Sequence, residues 1–113
     1  MDADAQYEVV NIVCKLKLKK TINLWLLQMV DLNMMMRETG GIKIRYVPET
    51  FPGATISFEH PKVSVTLFQT GAGVITGAKN FQEVNLATKH IIKLMRLVEE
   101  TNMEVDKYGI LER

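Results

Sequence analysis

The sequence has few of the residues that build disulfide frameworks or metal centres. It contains one cysteine and two histidines among 113 residues. Cys14 cannot form an internal disulfide, and its place in an alternating apolar pattern predicts a small buried side chain in a reducing compartment. His60 and His90 are far apart in the sequence and fall in unrelated predicted elements. We therefore predict no metal site and no bound cofactor.

The chain also lacks a long apolar run, and no basic segment precedes an apolar one near its start. These absences predict a protein that is neither secreted nor membrane-spanning. Neither sign of charge predominates, because 14 lysines and arginines nearly balance 13 acidic residues and leave a formal net charge of +1. That balance favours no class of partner. The length allows one domain with its own core.

The middle of the sequence shows strict alternation. Residues 54–60 and 62–70 alternate apolar and small polar side chains, which predicts two neighbouring strands. The apolar side chains share one face, which we interpret as core: Ile56, Phe58, Val63, Val65 and Leu67. The opposite face is small and polar except for one phenylalanine: Thr55, Ser57, Ser64, Thr66 and Phe68. A large apolar side chain on an open sheet face usually has a binding partner.

The first third of the chain predicts a strand and a helix. Residues 1–8 are acidic and polar, and we expect them to be flexible. Alternation from Val9 predicts a strand with one apolar and one basic face. Thr21 is a candidate cap for a helix over residues 22–30. One stripe of this helix contains Ile22, Trp25, Leu26 and Met29. We interpret the tryptophan and the methionines at 34–36 as packing residues.

Glycines and prolines divide the next region into short strands. Two glycines after Thr39 end the preceding segment, and a strand is predicted at 42–46. Phe51 lies in a sharp loop between two prolines, and the His60-Pro61 pair predicts a tight hairpin. Gly71 and Gly73 predict another turn, followed by a short strand over residues 74–76.

A long helix is predicted from Asn80 to about Glu100. Asn80 with Glu83 three residues later forms a start similar to a capping box. The side chains expected to face inward are Val84, Ala87, Ile91, Leu94 or Met95, and Val98. Those expected to face water are Lys89, Lys93 and Arg96. Residues 102–113 are compatible with either an irregular tail or a short edge strand.

The predicted order is strand, helix, four strands, helix. Two helices cover only one face of a five-stranded antiparallel sheet, so the other face stays open. Its floor is neutral and rich in hydroxyl groups, with phenylalanines Phe51 and Phe68 at its rim. Such a surface suits the minor groove of a nucleic acid, where few groups can be read and apolar side chains can open a base step. It suits an enzyme poorly, and we predict no catalysis.

Several segments resemble one repeat of the TATA-box-binding protein family, and they are most similar to its second repeat. They are VNIV at 10–13, YVPETFPG at 46–53, LFQTGAGVITGAK at 67–79 and the helix from Asn80. The resemblance implies an α+β fold of the β-α-β4-α type: a half-saddle with a curved five-stranded antiparallel sheet and two helices on its convex face. It divides the chain into a flexible N-terminus (1–8), a single repeat (9–101) and a C-terminal tail (102–113).

The resemblance also implies roles for particular residues. Phe51 and Phe68 correspond to the phenylalanines that the family wedges into a terminal base step. Asn11 and Thr76 correspond to residues that bond central base edges. The resemblance and the added central lysine together predict this set of DNA-contacting residues: Asn11, Val13, Lys15, Phe51, Ser57, Lys62, Thr66, Phe68, Val74, Thr76 and Lys79. The residues predicted to contact protein partners, among them a factor-IIB-like protein, are Glu49, Lys89, Lys93 and Arg96.

The chain departs from the family pattern at three positions. Thr66 replaces a leucine, Ser57 replaces an arginine and Ala72 replaces a lysine, and each change weakens apolar or phosphate contact. Lys15 and Lys17 add charge near the centre of the complete saddle. Low net charge predicts few phosphate contacts and a shallow salt dependence of binding.

Three functional hypotheses follow. The first is a transcription initiation factor that recognises and bends A/T-rich double-stranded DNA as a homodimeric saddle, joined through the first strand. The second is an adaptor or decoy that pairs with a full-length relative or a transcription factor and binds DNA weakly. The third, an accessory substrate-positioning domain of a nuclease or glycosylase, is disfavoured because the chain has no acidic cluster. The first predicts action in the nucleus or another DNA-containing intracellular compartment, and it is compatible with a virus-encoded protein.

Overall fold

The computed structural model describes residues 12–108, with the side chains of residues 12–101. In chain order the elements are β1 (Ile12–Lys17), a 3₁₀ helix (Leu24–Gln28), α1 (Asn33–Thr39), β2 (Ile42–Arg45), β3 (Ala54–Phe58), β4 (Val63–Leu67), β5 (Ala72–Ala78) and α2 (Phe81–Tyr108). None of the described helices is long and apolar enough to cross a membrane.

The five strands form one antiparallel sheet in the order β1-β5-β4-β3-β2, which leaves β1 and β2 as its edges. The predicted core face is confirmed: Ile56, Phe58, Val63, Val65 and Leu67 are all buried. The core is closed by α2, whose Ala87, Ile91, Leu94 and Val98 are buried in the same cluster. The α+β fold is therefore confirmed, and the first strand lies at an edge of the sheet, as a junction through it requires.

The predicted turn at Gly71 and Gly73 is wrong in part, because β5 already begins at Ala72. The turn is closed by the N–H of Phe68, which donates to the carbonyl of Ala72 at 2.8 Å. Gly73 lies inside the strand, where a Cβ atom would come within 2.9 Å of the Leu67 Cδ2 atom. A glycine inside a strand often marks such a close approach rather than a chain reversal.

The predicted helix over 22–30 is wrong in its type, bounds and cap. A 3₁₀ helix of five residues takes its place, and Asn23, not Thr21, caps it by accepting a 3.1 Å hydrogen bond from the Trp25 N–H. Because a 3₁₀ helix has three residues per turn, the proposed stripe does not form. Trp25 is 54% exposed and packs edge to face on Tyr46. A separate helix, α1, buries Met35 and leaves Met34 and Met36 exposed.

The start of α2 confirms the capping prediction. The Glu83 N–H donates to the Asn80 side chain at 2.9 Å, and the Glu83 carboxylate accepts from the Lys79 N–H at 2.8 Å. The helix continues to Tyr108, so both alternatives for the tail, irregular chain or edge strand, are wrong for residues 102–108. Residues 109–113 lie outside the described part of the chain. His60 and His90 are not unrelated, because the His90 Nε2 atom forms a 2.8 Å hydrogen bond with the His60 carbonyl.

Candidate nucleic-acid interface

The face of the sheet opposite the core is open in the described structure. Register places residues of all five strands in one row across this face: Lys15, Val74, Thr66, Thr55 and Arg45. A second row contains Thr76, Ser64, Ser57 and Lys43, with Val13 beside them at an irregularity in β1. Val13 is 67% exposed, and the described helices pack against the other face. With strands about 4.8 Å apart, the face is about 19 Å wide between its edge strands.

Hydroxyl groups and small apolar side chains form the floor of the open face. The Ser57 and Ser64 Oγ atoms lie 3.3 Å apart, and the Thr76 hydroxyl donates to the Ser64 carbonyl at 3.5 Å. Hydroxyl groups can both donate and accept, so this floor can offer donors to an acceptor-lined groove. A·T pairs present only acceptors in the minor groove.

The two predicted wedge residues lie together at one end of this floor. The ring centroids of Phe51 and Phe68 are 5.7 Å apart, with an interplanar angle of 62°. Phe51 is 48% exposed, and Phe68 is half-buried at the end of β4. This edge-to-face arrangement is favourable for aromatic rings. The rings are therefore at the surface and available for contact.

The chain around the phenylalanine pair explains its position. The Val47 carbonyl accepts hydrogen bonds from the N–H groups of Thr50 and Phe51, at 3.0 and 3.1 Å, which closes the loop before Phe51. Gly53 then lets the rings approach the backbone, since a Cβ atom there would lie 2.7 Å from the Phe51 Cε2 atom and 3.0 Å from the Phe68 Cε1 atom.

The structure does not bring every predicted contact residue onto the face. Lys62 and Lys79 are exposed at the opposite end of the strands from the phenylalanines, next to the end of β5. Asn11 lies outside the described residues. Sequence reasoning missed Lys43 and Arg45, which the alternation of β2 places on the open face, opposite Ser57 and Thr55. The sequence pattern IKIR indicates this placement, because it alternates an isoleucine with a basic residue and both isoleucines face inward.

The predicted protein-partner residues lie elsewhere on the surface. Glu49 is exposed in the loop before Phe51, and Lys89 and Arg96 are exposed on α2. Lys93 is only partly exposed and forms an ion pair with Glu38 of α1. The hydrogen bond from Lys93 holds the pKa of the Glu38 carboxyl below its ordinary value. No group of three or more potential metal ligands is present among the described residues.

Comparison with known proteins identifies relatives of this chain. A family model described as "Transcription factor TFIID (or TATA-binding protein, TBP)" matches residues 6–98. The TATA-box-binding protein of Pyrodictium occultum is 35% identical over 69 residues, which cover 61% of this chain and 34% of that protein. TATA-box-binding protein 2 of Entamoeba histolytica is 43% identical over 51 residues, covering 45% of this chain and 24% of that protein.

A solved structure shows the same architecture. The Methanococcus jannaschii TBP superposes with a TM-score of 0.62 at 30% identity, over 82% of this chain and 46% of that one. This chain thus spans less than half the length of the relatives that it matches. The sequence match, the fold and the open sheet face all indicate the same family. The chain belongs to the TATA-binding protein family.

Proposed function

We propose that the chain binds the minor groove of A·T-rich duplex DNA with the open face of its sheet and acts as a transcription initiation factor without catalytic activity. The observation that carries this proposal is the exposed Phe51–Phe68 pair at the end of a floor of hydroxyl and small apolar groups. Family membership supports it, because the named relatives are TATA-box-binding proteins.

The phenylalanine pair acts by opening a base step. Unstacking a step costs about a few kcal/mol, which is offset when the bent duplex brings more surface into contact with the protein. Gly53 lets both rings lie against the backbone at this end of the floor, because any side chain there would clash with them. The floor then contacts the central base pairs through hydroxyls such as that of Thr76.

Fluorescence anisotropy with TATA-containing and scrambled duplexes tests this function. We expect tighter binding of the TATA duplex and a large loss of affinity for the Phe51→Ala/Phe68→Ala variant. Phe81→Ala is the matched control, because Phe81 is 69% exposed but belongs to α2 rather than to the open face. Equal binding of both duplexes, unaffected by loss of the two rings, would refute the proposal.

The second half of the saddle comes from another copy of the chain, joined through β1. β1 has β5 on one side and no second partner strand among the described residues, and an open strand edge readily pairs with another chain. Lys15 and Lys17 of the two copies would repel each other near the two-fold axis, so the dimer forms mainly on DNA. Sedimentation should detect two chains per duplex. One chain per duplex would refute the symmetric saddle.

An adaptor function is the second candidate. The specific observation in its favour is that Ser57 and Thr66 offer the floor neither a long apolar nor a charged side chain. In that case DNA binding is weak, and the chain pairs with a full-length relative. A factor-IIB-like partner would contact the exposed Glu49, and other regulators would contact Lys89, Lys93 and Arg96 on α2. Either function places the chain in the nucleus or another DNA-containing compartment.

A further inference from the structure

Charge in the sheet is separated from charge in the rest of the chain. The five strands contain no Asp or Glu, and all their charged side chains are basic: Lys15, Lys17, Lys43 and Arg45. All four lie on the open face, while the net charge of the whole chain is only +1. The net charge of the whole chain therefore understates the positive potential of this face, because the acidic residues that lower the net charge lie outside the five described strands.

Lys43 and Arg45 are held on the outer edge of the open face by the pattern of β2. Ile42 and Ile44 pack against the core, so the two basic side chains must point the other way. Both are exposed, and neither forms a salt bridge with any side chain described over residues 12–101. Two unpaired cations next to a neutral floor form a site for anionic groups.

We propose that Lys43 and Arg45 contact phosphates of the duplex backbone at the outer edge of the open face. This inference rests on the proposed function. β2 and β1 form opposite edges, about 19 Å apart, and both carry cations. When β1 joins a second copy, its lysines lie at the centre of the saddle and the two β2 strands form its outer edges. Lys43 and Arg45 then lie beside the duplex backbone where the duplex leaves the floor. Such contacts fix the position of a protein on DNA and carry no direct sequence information.

A purely structural role for the same residues is protection of an edge strand. Charged side chains on an exposed edge discourage pairing with other chains. That role predicts aggregation when Lys43 and Arg45 are neutralised, but it predicts no change in the salt dependence of DNA binding. The salt dependence therefore separates the two roles.

The experiment measures duplex affinity at several salt concentrations for Lys43→Gln/Arg45→Gln. The control is Lys89→Gln/Arg96→Gln, which removes one lysine and one arginine from the exposed face of α2. Each phosphate contact contributes about 0.9 to the slope of log K against log salt, so the β2 variant should lose about 1.8 per protomer. Between 50 and 200 mM salt, wild type should then lose roughly tenfold more affinity per protomer than the variant. The ratio of affinities for TATA and scrambled duplexes should stay unchanged.

Several results would overturn the inference. A slope equal to that of wild type, or an equal decrease in the α2 control, would show that these side chains make no phosphate contact. If circular dichroism shows that the double variant does not fold, the single variants should each lower the slope by about 0.9. Lys43→Arg/Arg45→Lys, which keeps both charges, should retain the wild-type slope.

The two proposals fail in different ways. If wild type binds no duplex at any salt concentration, both are overturned. If wild type binds and loss of the phenylalanines weakens binding while the β2 variant keeps the wild-type slope, only the phosphate site is overturned.

Discussion

Gly53 lies beside the two phenylalanine rings, and Gly53→Ala tests whether their arrangement matters for DNA binding. The new methyl group would lie 2.7 Å from Phe51 Cε2, 2.9 Å from Thr66 Cγ2 and 3.0 Å from Phe68 Cε1. Carbon atoms prefer a separation of about 3.5–4.0 Å, so the rings must move by roughly 0.5–1 Å or more. All three contacted atoms are ends of side chains, and Phe51 is half exposed. We therefore expect a loss of about 1–2 kcal/mol in unfolding free energy, at the low end for overpacking.

The expected effect on binding is about a two- to tenfold loss of duplex affinity. This range corresponds to a cost of roughly 0.5–1.5 kcal/mol for returning the displaced rings to their edge-to-face arrangement on the duplex, since about 1.4 kcal/mol is a factor of ten. Anisotropy measures the affinity, and chemical denaturation measures the stability. In a Phe51→Ala background, Gly53→Ala should cost less stability, because the closest clash is gone. Wild-type affinity in the single variant, or strict additivity of the two changes in stability, would refute this reasoning.

Two further predictions concern stability. Leu94→Ala should cost about 2–5 kcal/mol in chemical denaturation, because Leu94 is 0% exposed. Leu86→Ala on the exposed side of α2 should change stability by only about 0.5 kcal/mol, and an equal effect would contradict the assignment of the core face. The Glu38–Lys93 and Glu99–Lys20 hydrogen bonds lower the pKa of both carboxyls below the ordinary 4.5. Their stabilisation is thus present above pH 4.5 and is lost as pH falls through the lower folded-state values. In the Glu38→Gln/Glu99→Gln variant, the free energy of unfolding should therefore fall slightly less steeply as the pH is lowered. An unchanged dependence at acid pH would contradict this prediction.

Most of the sheet could be predicted from the sequence because burial alternates along it. In β3 and β4 every second side chain enters the core, and this pattern marks both the strands and their open face. The same regularity holds for α2, whose inward residues recur at helical spacing. The phenylalanine loop was predictable because prolines and glycine leave the chain few conformations there.

The segment between β1 and β2 could not be predicted in the same way. Leu24 and Leu27 are buried three residues apart, which fits a 3₁₀ helix, but Leu26 is buried as well and gives a mixed pattern. The interpretation of Gly73 failed for a different reason. Its small size is required by the neighbouring strand, because a Cβ atom there would lie 2.9 Å from the Thr66 carbonyl oxygen and 2.9 Å from Leu67 Cδ2. Sequence alone does not reveal which strands come together.

The two edge strands differ in what a second copy of the chain could build on them. β1 has six residues and β2 has four, so β1 offers the longer backbone ladder. Junction at β1 would also place the phenylalanine pairs, which lie near the ends of β3 and β4, about six strand spacings or about 29 Å apart across the strands. Junction at β2 would reduce this separation to about four spacings, or about 19 Å, and would bring Lys43 and Arg45 to the axis. A junction at β1 would therefore keep a longer floor between the two phenylalanine pairs and would leave the cations of β2 at the outer edges, as the proposed phosphate contacts require.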